Sequence, residues 1–76
     1  MFEKAKLKKA IKQSKERIDT IEQKRTRSQA ALVDAILRQA QPDDRDVDYF
    51  NQFTEQIDAE RDNLHKLMKQ LEELGG

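Results

Sequence analysis

The sequence predicts an all-α protein: an antiparallel two-helix hairpin of coiled-coil type that dimerises into a four-helix bundle. Three observations carry that expectation. Apolar residues recur in alternating steps of three and four along two long segments, the heptad spacing of a helical seam. The two glycines and one proline of the 76-residue chain fall only between those segments and at its end. Charged residues make up 39% of the chain and hydrophobic ones 36%, a balance that suits long solvated helices rather than a β-rich fold. A chain of this length is one small domain.

Helix 1 is expected over about residues 2–40. Its seam reads Leu7, Ile11, Ser14, Ile18, Ile21, Arg25, Ser28, Leu32 and Ala35. The positions between are mostly Lys, Arg, Glu, Asp and Gln, which tolerate both helix and solvent. Next comes Gln41-Pro42-Asp43-Asp44. Proline has no amide hydrogen and disfavours helical geometry in the residue before it, so helix 1 should stop near Ala40 and turn over 41–43.

Helix 2 is expected over about residues 43–74, with Asp43 as the N-cap accepting free amides of the first turn. Asp44, Asp46 and Asp48 crowd that turn, where the helix dipole favours negative charge. The seam reads Phe50, Phe53, Ile57, Glu60, Leu64, Leu67, Leu71 and Leu74. It ends cleanly before Gly75-Gly76, so the expectation is a hairpin rather than a piece of a longer coil.

A fold at Pro42 sets a register. Leu32 faces Phe53, Ile21 faces Leu64, Ile18 faces Leu67, Ser14 faces Leu71 and Ile11 faces Leu74. Arg25 then faces Glu60, two charged interruptions of opposite sign. Such a pair inside a seam fixes alignment more than it adds stability. Residues 2–9 extend past Leu74 in this register, an overhang carrying Lys4, Lys6, Lys8 and Lys9 with Phe2 and Leu7.

A second apolar row, Ala30, Val33, Leu37 and Ala40, lies on helix 1 near the turn. One hairpin covers only one stripe per helix, so this row is expected to pack on another molecule. Tyr49, Phe50 and Phe53 sit at the same end. Ala30, Val33, Leu37, Tyr49, Phe50 and Phe53 are therefore the candidate protein-binding residues.

Composition narrows the function further. There is no cysteine and one histidine, His65, so neither a disulfide nor a thiolate or His-based zinc site forms within one chain. No apolar run reaches the roughly 18–20 residues of a membrane span, and no signal-peptide core is present. A cytoplasmic protein with no membrane partner is the expectation. No glycine-rich loop exists to hold a phosphate, and nothing near His65 offers a nucleophile. No enzyme activity, cofactor or small-molecule substrate is expected. The expected function is a small non-enzymatic interaction module, an adaptor, assembly chaperone or inhibitor of a larger machine, whose partner is itself or a larger protein.

Asp44, Asp46, Asp48, Phe50, Gln52 and Glu55 fit positions 1, 3, 5, 7, 9 and 12 of a calcium-loop frame. Position 6 requires glycine for a sharp turn and holds Tyr49, and helical phase continues through the frame. An acidic helix cap is the reading preferred.

Charge is balanced overall but unevenly placed. Residues 1–29 hold ten Lys/Arg against four Asp/Glu, a net of +6, and residues 30–62 hold three against nine, a net of −6. Read along the chain, this is a strip with a basic end and an acidic end. Lys4, Lys8, Lys12, Lys15, Arg25 and Arg27 are the candidate nucleic-acid contacts, a possible partner though not the favoured one. Glu3, Glu16, Asp19 and Glu22 dilute the basic helix, and no aromatic residues are interleaved for base stacking. With Asp43, Asp44 and Asp46 at its turn, the hairpin resembles transcription factors of the Gre and DksA type, which insert an acidic coil tip into the secondary channel of RNA polymerase. The resemblance covers the hairpin outline and those three residues, and any zinc-binding cysteines are absent. It implies a polymerase-associated regulator as the alternative function. Rop-type plasmid hairpins, whose dimer holds RNA, are the nearest architectural analogy.

Overall fold

The computed structural model describes residues 2–75. Two α-helices, α1 (Phe2–Leu37) and α2 (Asp44–Glu73), fold back on each other. They form a rod of 57 × 15 × 14 Å. The rod's length is that of α1, since 36 residues at about 1.5 Å each span about 54 Å.

Each helix end has a chemical cause. α1 ends before the proline acts. Gln39 takes a left-handed conformation, φ 59°. Its amide donates to the Ile36 carbonyl at 3.0 Å, and the Ala40 amide donates to the Ala35 carbonyl at 2.9 Å. These two bonds are the Schellman pattern, which satisfies carbonyls the helix leaves open. The helix therefore stops at Leu37, three residues before Ala40, and Pro42 lies in the connection. Asp43 caps α2 as expected: extended at φ −65°, ψ 134°, its carboxylate accepts the Arg45 amide at 2.9 Å. At the far end Gly75 adopts φ 75° and its amide donates to the Glu72 carbonyl at 2.9 Å. Gly76 lies outside the described residues.

The expected seams are the inner faces. On α1 every seam position from Leu7 to Ala35 is buried or half-buried, and so are Phe50 through Leu71 on α2. Leu74 is the exception, exposed at the open end. The core is thin. Among the described residues only Ile57 and Ser14 are fully buried, because two helices shield each seam residue on one side alone.

The register differs from the expected one. Glu60 meets Ser14 and Arg17 rather than Arg25, and Glu22 meets Arg61. Ile11 lines a hollow with Met68 and Leu71 rather than facing Leu74. The helices have slid by about one heptad, a shift that leaves both seams facing each other. The early Schellman stop is one reason, since it moves the turn towards the N-terminus. The overhang is lost with it: Glu3, Lys6 and Leu7 share a hollow with Gln70, Glu73 and Leu74, so the two helices finish nearly level. The Phe2 side chain, expected on that overhang, lies outside what the structure describes.

Among the described residues, no helix is long and apolar enough to cross a membrane.

Candidate functional site

Two features of the rod have functional geometry: a polar cluster at its waist and an apolar surface towards its tip. Glu60 centres the cluster. Its Oε1 accepts from the Ser14 hydroxyl at 2.7 Å and the Asn63 amide at 3.3 Å. The Arg17 guanidinium donates to the same oxygen through Nε at 3.2 Å and Nη2 at 3.0 Å. The Glu60 side chain is 20% exposed and that of Arg17 53%. The guanidinium, then the serine hydroxyl, then Asn63, hold the Glu60 carboxyl below the usual glutamate range, against the opposing effect of burial. A carboxylate held ionised in this way is a poor proton acceptor near neutral pH. The cluster is a latch between the helices, and it satisfies Ser14 of one seam and Glu60 of the other.

A second bridge, Arg61 to Glu22 at 2.9 Å, crosses the seam on its other flank. The two bridges fix the two sides of the hairpin. With Ile11 and Phe50 as a positions, Glu22 and Arg61 are both e positions and Arg17 is a g position. In this hairpin e therefore lies beside e, and g beside g.

That assignment sorts the exposed apolar residues. Among the described residues the large exposed ones are Val33, Ile36, Leu37, Val47, Tyr49, Met68 and Leu74. Five of the seven lie in the third of the rod nearest the turn. Ile36, 64% exposed, and Val47 are e positions on one flank. Leu37, 78% exposed, and Ala30 lie on the back of α1, with Val33 between back and flank. A shallow hollow there is lined by Thr26, Gln29, Ala30, Val33, Asp34 and Leu37. Tyr49 is a g position on the opposite flank, stacked on Phe53 with ring centroids 6.2 Å apart. The six candidate protein-binding residues thus divide. Ala30, Val33 and Leu37 form an open row, Tyr49 is open on another side, and Phe50 and Phe53 are half-buried in the seam.

The basic candidates divide too. Lys4 and Arg25 are half-buried along the seam stripe, whereas Lys8, Lys12, Lys15 and Arg27 are exposed. Lys8, Lys12 and Lys15 share an outer row by their spacing of four and three, and Arg27 falls on the other side. The +6 and −6 blocks also mix on folding. Cut at the level of the two bridges, the open half (residues 1–20 and 59–76) holds ten basic against seven acidic residues. The tip half (21–58) holds five against eight. A dipole of +3 and −3 remains.

The calcium frame does not form a loop, since α2 runs unbroken from Asp44 through Glu55. Sequence reasoning missed Ile36, Val47 and Met68. Their signal was available as apolar residues at e positions, one step off the seam.

Comparison with protein-family models, curated proteins and solved structures found no match for the chain.

Proposed function

We propose that the chain is a non-enzymatic protein-interaction module that works by packing its helices against further helices, including those of a second copy in a four-helix bundle. The observation that carries this reading is the concentration of exposed Val33, Ile36, Leu37, Val47 and Tyr49 in one third of a rod in which only two of the described residues are fully buried. A thin core beside an uncovered apolar surface gains stability by covering that surface. The reading places the working contacts on Ala30, Val33 and Leu37. Glu60, at the centre of the polar cluster, is engaged in a latch between the helices. An adaptor, assembly chaperone or inhibitor of a larger machine fits these features.

The test is truncation of Val33 and Leu37 to Ala together. Assembly, read as solution mass or as capture of partners from a lysate, should weaken while helix content stays. If mass and capture are both unchanged, the surface is irrelevant and the reading fails.

A second reading, a nucleic-acid or polymerase-associated regulator, is favoured by the exposed row Lys8, Lys12 and Lys15, which takes no part in the ion pairs Arg17–Glu60, Arg38–Asp34 and Arg61–Glu22. Salt separates the two. Phosphate contacts predict binding that falls steeply between about 50 and 200 mM salt, and an apolar interface predicts little change.

A further inference from the structure

We propose that the flank formed by the e positions is the docking face for a second copy of this chain, bound antiparallel, tip of one against open end of the other. This rests on the reading of the hairpin as a helix-packing module and commits it to one partner and one geometry.

The first ground is the choice of flank. The e flank carries Lys8, Lys15, Glu22, Gln29 and Ile36 along α1, and Val47, Thr54, Arg61 and Met68 along α2. Three of its members, Ile36, Val47 and Met68, are large exposed apolar residues. Among the described residues the opposite flank has Tyr49 as its only one, beside Arg17, Lys24, Arg38, Gln56, Asn63 and Gln70.

The second ground is symmetry. A two-fold axis across the middle of the rod places equivalent helices over each other, running in opposite directions. Along α2 the residues reading Val47, Thr54, Arg61, Met68 then meet the same residues in reverse. Val47 falls opposite the partner copy's Met68, and Thr54 opposite its Arg61. At the Met68 end lies a hollow whose apolar wall is Ile11, Met68 and Leu71, a seat for Val47 of the second copy. The Glu22–Arg61 bridge falls close to the axis, so its two copies would stack with charges already neutralised. Self-complementarity of one patch about a two-fold axis is what an isologous dimer requires.

The third ground is charge. Parallel pairing would set the basic open half against its own copy and the acidic turn, Asp43, Asp44, Asp46 and Asp48, against its own. Antiparallel pairing lays each +3 half along a −3 half, so like charges separate and unlike ones approach. Size agrees as well. A face of 57 by 15 Å is on the order of 800 Å², the area a standard interface takes from each partner.

The chain has no cysteine, which makes the geometry directly testable. Val47→Cys and Met68→Cys are prepared separately and oxidised alone and as a mixture, with circular dichroism to verify that both remain helical. The proposal expects a disulfide-linked dimer at least tenfold more abundant in the mixture than in either variant alone. It also expects wild type to sediment as a dimer, and Met68→Lys to raise the dimer Kd at least tenfold. Cross-linking of Val47→Cys to itself would place the tips together and overturn the antiparallel geometry. A monomeric wild type over about a hundredfold range of concentration would overturn the second copy as occupant. Loss of partner capture in the Val33 and Leu37 double variant, with the dimer intact, would then separate this face from the back row. A monomer that still captures a partner through that row sinks the dimer and not the interaction module.

Discussion

Glu60 shows what a carboxylate requires in a thin core. A carboxylate in a seam is unfavourable unless its oxygens find donors. Here Ser14, fully buried, supplies the shortest bond, and Arg17 covers the site from outside. The same bonds make stability depend on pH. The folded Glu60 carboxyl lies below the ordinary value of 4.5, so its contribution is fully present above that value. It is lost as pH falls through the lowered folded value, because the unfolded chain takes up the proton first. Ser14→Ala removes one of the bonds that hold the carboxyl low, so the Glu60 midpoint should move up towards its ordinary value. At neutral pH the variant should be less stable by about 1 kcal/mol, the typical worth of one hydrogen bond. The gap should narrow once both proteins are protonated. A carbon-13 titration of the Glu60 carboxyl in both proteins checks it, and an unmoved midpoint would show that Arg17 and Asn63 hold the carboxyl without the serine.

At the scale of the helices, periodicity made the seams legible and left their alignment open. Leu7 to Ala35 and Phe50 to Leu71 face inward as the heptads require, because burial of alternate three- and four-step residues has no other solution for paired helices. Asp43 was legible as a cap for the same local reason: its carboxylate and the open amides lie within one turn. Register is a different kind of information. Sliding by a heptad returns seam to seam, so the Arg25 and Glu60 pairing was a plausible tie-breaker that Ser14 and Arg17 overruled. The end of α1 was illegible because glutamine is an unexpected residue at a left-handed position. A side chain there disfavours the conformation, whereas glycine adopts it freely. Gln39→Gly should therefore stabilise the hairpin by about 0.5–1 kcal/mol, raising the melting midpoint by several degrees with the helix ends unchanged. A drop in the midpoint would mean that α1 does not end in this motif in solution. The candidate surface was legible in part. The Ala30, Val33 and Leu37 row follows from spacing on one helix, but separating it from Tyr49 needs the handedness of two helices together, which only the bridges Glu22–Arg61 and Arg17–Glu60 supplied.

At the scale of the whole rod, a small chain meets a limit set by its own shape. Two helices expose most of their surface, and a chain without cysteine has no disulfide to offset the chain entropy. Association is the remaining source of stability. Binding that favours the folded state raises stability with the logarithm of concentration. If the e flank closes on a second copy, unfolding and dissociation become one event. The melting midpoint should then rise by roughly 5–10 °C over a hundredfold increase in protein concentration, given the unfolding entropy of a pair of chains this size. A monomeric hairpin would melt at one temperature throughout. Added salt sharpens the reading, because the antiparallel arrangement draws on opposed charges along the rod. Moderate salt should lower the midpoint of the dimer slightly, through screening of those charges. It would raise the midpoint of a parallel one, in which like charges face each other. Concentration thus reports whether the rod pairs, and the sign of the salt effect reports which way round.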